Sequence, residues 1–193
     1  GVQKATILDA GCGTGEFLRV ANSKWPDARL FGFDANIDAL AFAITKSNRP
    51  LVRASVNQLP IDSSSVDIVV SLDVLYHRDI SESLAIRELF RCLKPGGHLL
   101  VHVPAYNWLK SYHDVHVHTR TRYTKKRLQR ALTHAGFSKL ICGYRVSLLL
   151  PAIALKRLLI RKDHSDVQSM AEPLNLMFYK IVNFENSPAP PHN

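Results

Sequence analysis

At 193 residues, 46% hydrophobic and 21% charged, the chain is long enough to bury one full core, and it has neither the apolar excess of a membrane protein nor the polar bias of a disordered one. Its formal net charge of +9 points to anionic partners, among which nucleic acid, phosphorylated small molecules and a membrane surface all stay open. Three widely spaced cysteines, Cys12, Cys92 and Cys142, exclude a disulfide framework and fit a reduced, cytoplasmic setting. The chain starts at Gly1 rather than Met, so a preceding segment is expected.

Residues 5–10 predict a buried strand that ends on an acidic residue, Asp9, and turns through Gly11, Gly13 and Gly15 into a helix with Phe17, Ala21 and Trp25 on one face. Glycine at every second position lets backbone approach a ligand with no Cβ in the way. The N–H groups opening the helix then favour a polar or anionic ligand. Residues 29–33 predict a second strand ending at Asp34. Asn36 caps the next helix, with Ile37, Leu40, Ala41 and Ile44 at i, i+3, i+4 and i+7. After Pro50 come a short strand at 51–54, a loop through Gln58-Leu59-Pro60 and a continuous apolar strand at 66–72.

Asp79 and Glu82 have capping-box spacing ahead of a helix whose face is Ala85, Leu89, Cys92 and Leu93. Lys94-Pro95-Gly96-Gly97 stops it, and 98–103 alternates as a strand. Such β–α repetition implies a parallel sheet with helices on both faces. Thr124 opens another helix with Leu128, Ala131, Leu132 and Ala135 inward and Gly136 at its end, followed by a late strand at 137–146. The apolar stretch 148–160 is interrupted by Pro151 and Lys156-Arg157. A polar segment, a helix at 174–184 and a disordered tail at 187–193 complete the chain.

Two ligand classes use a glycine turn of this kind. Dinucleotide-binding domains space their glycines G-x-G-x-x-G; here the spacing is G-x-G-x-G with Glu16 next. Asp34, about twenty residues on at a strand end, suits ribose hydroxyls in either class. The sequence Asp9-x-Gly11-x-Gly13-x-Gly15, the run Leu59-Pro60-Ile61-Asp62-Ser63-Ser64-Ser65-Val66-Asp67 and the turn Leu93-Lys94-Pro95-Gly96-Gly97 occur in order. Together they resemble the motifs of class I S-adenosylmethionine (SAM)-dependent methyltransferases.

That resemblance implies an α/β, Rossmann-like doubly wound sheet of seven strands, mostly parallel with an antiparallel last strand. It also implies a SAM-binding domain at 1–146 and a helical extension at 147–186 packed on it. Asp9, Gly11, Cys12, Gly13 and Gly15 would line the methionine side of SAM. Asp34 and Ala35 would meet the ribose, Val56 and Asn57 the adenine, and Asp73 the cofactor mouth. One departure is Ser55, where many relatives carry an aspartate that accepts from the adenine amino group; Ser55 or Asn57 would substitute.

The loop 106–123 gathers Ser111, His113, Asp114, His116, His118, Arg120, Arg122 and Tyr123 at the carboxyl edge, where parallel α/β sheets bind ligands. It resembles a subgroup of bacterial methyltransferases of unassigned substrate, some encoded among genes for cell-surface glycan or lipid-linked sugar synthesis. A structural zinc site needs four ligands that this spacing does not supply. Two other readings compete: Asp114, His118 and Arg122 pin the loop to itself, or the loop is a substrate-facing lid. As a lid it would place Tyr106, His118, Arg122 and Tyr123 against the acceptor. His113, oriented by Asp114, and His77 are the candidate general bases, since histidine titrates near neutrality.

Lys125, Lys126 and Arg127 open a helix and form either an anion site or a solvated basic face. The stretch 148–162 is too short and charged to span a membrane. It would serve as core, as a homodimer face or as a peripheral contact with the inner face of a membrane. The expected reaction is methyl transfer from SAM to an oxygen or nitrogen of a small acceptor that is anionic or lipid- or sugar-linked. The alternative is a SAM-binding protein of the same fold without methyl transfer. The lack of an Asn/Asp-Pro-Pro-Tyr/Phe tetrapeptide argues against nucleic acid as acceptor.

Overall fold

The computed structural model describes residues 2–110, 114, 119–145, 176 and 180. Its sheet is made by β1 (Thr6–Ala10), β2 (Arg29–Asp34), β3 (Leu51–Arg53), β4 (Val66–Leu72) and β5 (Leu93–His102). They lie in the order β3-β2-β1-β4-β5, and every pairing is parallel. The helices are α1 (Glu16–Lys24), α2 (Ile37–Ser47), α3 (Glu82–Cys92) and α4 (Lys125–His134).

Alternation along the strands sorts the core into two layers. Ile7, Leu30 and Val70 join Leu18, Ala21 and Leu40 from α1 and α2 on one face. Leu8, Phe33 and Val69 join Ala85, Ile86 and Leu89 from α3 and Leu132 from α4 on the other. This burial on both faces is why β1 and β4 read as continuous apolar runs.

Several expectations need correction. Five strands, not seven, stand among the described residues, and no antiparallel strand is among them. Residues 137–145 are not a strand. Phe137 closes α4 instead, its N–H donating to Leu132 O, and its ring meets Phe90 edge-on at 4.9 Å, so apolar packing takes the place of a ladder. The buried side of α1 centres on Leu18 and Ala21, with Phe17 and Trp25 only partly covered.

In α2 the inward residues are Leu40, Ala43 and Ser47, while Ile37 and Ile44 are 55% and 61% exposed. Close packing against the glycine turn rotates this helix, since a Cβ on Gly15 would lie 2.9 Å from Ala43 Cα. The capping box before α3 does not form: Ser81 is the N-cap, and its N–H is held by Asn57 Oδ1 at 2.9 Å. The Pro95-Gly96-Gly97 turn is a bulge inside β5, where the register jumps from Val66 opposite Leu93 to Ile68 opposite His98.

Candidate cofactor and acceptor site

The glycine turn leaves β1 and is fastened at once to β2, with Gly11 and Cys12 N–H both donating to Phe33 O at 2.8 and 2.9 Å. All three glycines have positive φ, +88°, +50° and +79°. Their surroundings differ. A Cβ on Gly11 would collide with Val74 and one on Gly15 with Ala43, whereas a Cβ on Gly13 would meet nothing within 4 Å. Two of the glycines therefore serve packing, and Gly13 is the one that faces open space.

Asp34 is held beside that opening: Gly13 N donates to Oδ2 and Asn36 N to Oδ1, both at 2.8 Å. Each oxygen keeps a second lone pair for a ribose hydroxyl. Ala35 is exposed next to it, with its carbonyl accepting from Arg53 Nε. Asp9 lies beneath the turn, 2% exposed, and its Oδ2 has no hydrogen-bond partner. Burial and then the charge of Asp34 push its carboxyl up to about 7. Burial likewise pushes the Cys12 thiol up to about 12, which removes it as a nucleophile.

At the adenine end Val56 is buried, and Asn57 N donates to Ser55 Oγ at 3.2 Å. The Asn57 carboxamide bridges to Asp79 O and Ser81 N, which commits it to the start of α3 rather than to a base. Ser55 is left as the nearer acceptor in this stretch.

Asp73 follows β4 with φ +59°. Its N–H donates to His102 O, its Oδ1 meets His102 Nδ1 at 3.1 Å, and its carbonyl meets His77 Nε2 at 3.0 Å. The His77 ring stacks on Tyr76 at 4.4 Å. Two histidines from different elements thus converge on one aspartate. The hydrogen bond from Asp73 holds the His102 imidazole above its usual range, against the opposing effect of burial. Sequence reasoning passed over His102; its position as the last residue of a strand at the carboxyl edge was the available signal.

His113 and His118 lie outside the described residues, as do Ser111, His116 and the stretch 148–162. The described parts of the loop are closely tied down. Arg120 N donates to Tyr76 O, Tyr123 N to Pro104 O and Tyr106 N to Tyr123 O. Arg122 grips Asp114 through Nε–Oδ1 at 2.7 Å and Nη2–Oδ2 at 2.9 Å, and Nη1 reaches Ala105 O. Their side chains are only 13% and 6% exposed, so the pair is a buried clamp.

Tyr123, expected to face the acceptor, is 2% exposed in the core, with its hydroxyl donating to Leu75 O at 3.2 Å. The aromatic core gives it a packing role that its place in a polar loop concealed. Tyr106 stacks on Tyr144 at 5.1 Å, with Trp108 tilted nearby. Tyr144 Oη accepts from Lys125 N, and Tyr144, Lys125 and His102 line a cavity of about 200 Å³. Arg127 is committed to Glu82, Thr121 and the Tyr123 ring, which leaves Lys125 and Lys126 as the exposed cations of the helix start.

Residues 8–101 match the family described as methyltransferase domain. The match spans just under half of the chain, and the fold is the one seen in SAM-dependent methyltransferases. The chain is 32% identical over 118 residues to tRNA (carboxymethyluridine(34)-5-O)-methyltransferase of Arabidopsis thaliana, a match covering 60% of the chain and 27% of that protein. It is 36% identical over 94 residues to malonyl-[acyl-carrier protein] O-methyltransferase of Herminiimonas arsenicoxydans, covering 49% and 35%. The chain therefore spans well under half of either relative's length.

Among solved structures, Haemonchus contortus phosphoethanolamine N-methyltransferase 2 in complex with SAM is similar with a TM-score of 0.64 and 16% identity, over 94% of this chain and 44% of that one. The [4+2]-cyclase SpnF is similar with a TM-score of 0.57 and 28% identity, over 69% and 50%. Among the described residues no helix is long and apolar enough to cross a membrane.

Proposed function

We propose that this domain transfers the methyl group of SAM to an oxygen or nitrogen of a small acceptor that is anionic or lipid- or sugar-linked. The observation that carries the reading is the meeting, along one sheet edge, of an open glycine, a ribose-ready carboxylate and a histidine–aspartate pair. The residues fit the cofactor. Gly13 leaves space, Asp34 keeps free lone pairs, and the orphaned Asp9 Oδ2 awaits a donor or cation.

SAM supplies an electrophilic methyl carbon and a neutral thioether leaving group. What remains for the chain is to hold the acceptor in line, exclude water and take its proton. The carbon–sulfur bond breaks as the carbon–oxygen or carbon–nitrogen bond forms. The proton passes to a neutral imidazole. His77 and His102 both stand at Asp73 for this task, and His113 is the further candidate. His102 has the stronger support, because Asp73 accepts at Nδ1 and leaves Nε2 for the acceptor.

Calorimetry with SAM, followed by a methyl-transfer screen over phosphorylated, glycolipid and carboxylate acceptors and bulk tRNA, tests the reading. Binding of SAM with turnover on one of the first three classes supports it, and turnover on tRNA alone contradicts it. A second reading, cofactor binding without methyl transfer, is favoured by one observation, the similarity to a cyclase. SAM binding with no turnover on any acceptor would favour that reading.

A further inference from the structure

On the face of the sheet away from the glycine turn, α3 and α4 leave a groove of about 520 Å³ between them. Its floor is Ile86, Ala131 and Ala135. A guanidinium stands on each wall, Arg87 on α3 and Arg130 on α4, both exposed, with His134 beside Arg130 on α4. Glu82 is the acidic side chain in the groove, and Arg127 already pairs with it at 3.0 Å. Neither Arg87 nor Arg130 makes an ion pair among the described residues.

We propose that this groove receives an acidic amphipathic helix from a partner protein. Apolar anchors at i, i+3, i+4 and i+7 would enter between the helices, with carboxylates on both flanks meeting the guanidinium groups. The placement of charge selects this occupant: Arg87 and Arg130 stand on opposite walls with the apolar floor between them. A single-headed lipid needs its cations at one end. A second copy of the chain fits poorly, because the exposed apolar side of α2 carries one acid, Asp38, against Lys46. The groove is separate from the cofactor turn, so this proposal does not depend on the proposed reaction.

The probe is a labelled synthetic helix of about 14 residues with leucines on one face and glutamates on both flanks, read by fluorescence anisotropy. We expect saturable binding at low salt that weakens by about tenfold at 0.3 M salt and by about as much in the Arg87→Glu/Arg130→Glu protein. Ala131→Trp, which fills the floor without changing charge, is expected to abolish it. A copy of the peptide with lysine for glutamate is expected not to bind. Circular dichroism and SAM binding check that each variant is folded. The surface pair Arg87→Glu/Arg130→Glu leaves the core untouched if Ala131→Trp does not fold. No saturable binding at low salt overturns the proposal. Equal binding to a folded Ala131→Trp protein also overturns it, by reducing the effect to bulk charge. Displacement of the peptide by an equal concentration of laurate overturns it in favour of a lipid.

Discussion

The glycine turn after β1 and the strap formed by the described residues 104–110, 114 and 119–123 border the same edge of the sheet, yet they treat their polar groups in opposite ways. In the turn, Asp9 keeps an oxygen without a partner and Gly13 faces open space. In the strap, Asp114 and Arg122 are locked together, and the Tyr123 hydroxyl is bonded inside the core. A buried polar atom without a partner costs stability and is retained where a ligand completes it, whereas a satisfied one holds the scaffold. In the proposed function, the difference separates a site that waits for a ligand from a clamp beside it.

Breaking the clamp gives the largest expected effect. Arg122→Ala removes the bidentate partner of a buried carboxylate and should cost about 3 kcal/mol or more in urea unfolding, while replacing both partners by apolar residues should recover most of it. If the strap faced substrate instead, Arg122→Ala would leave unfolding unchanged and raise only the acceptor KM.

Within the turn, Gly11→Ala combines a positive φ with the collision at Val74 and should destabilise by about 3 kcal/mol.

Asp9→Asn probes the waiting group through pH. The folded-state pKa, near 7, stands above the ordinary 3.8, so the native state binds more protons than the unfolded chain between those values. Stability should therefore fall as pH rises through that window, by up to about 1.4 kcal/mol per unit. The asparagine variant should match the wild type near the acid end and exceed it by a few kcal/mol at about pH 8, at the expense of SAM affinity. Identical stability profiles for the two proteins would remove Asp9 from the account.

The smallest effect on folding belongs to Gly13→Ala. It should cost about 1 kcal/mol in unfolding, because only the backbone conformation is strained. Its loss should show in SAM binding instead, which sets it apart from Gly11→Ala.

The turn was legible in the sequence because its chemistry is local: three glycines, the acid before them and Asp34 at the next strand end define it within one β–α–β unit. The alternating core of β1 and β4 was legible for the same reason. The strap was legible only in part. Pinning of Asp114 by Arg122 was one of its two readings, whereas Tyr123 read as a substrate contact because its partner, Leu75 O, comes from another element. His102 was invisible as a site residue until β4 and β5 paired and brought it to Asp73. The buried side of α2 was misjudged because Ala43 is small and is selected by the close approach of Gly15, a contact that apolar periodicity does not encode.

Calorimetric titration with SAM of the wild-type chain, Asp34→Ala and Gly13→Val tests the central claim most directly. The account predicts one-to-one binding by the wild type and a loss of at least about tenfold in affinity in both variants, with Asp34→Ala keeping its melting temperature to within a few degrees. Equal affinity in all three folded proteins, or no binding by the wild type, would contradict it.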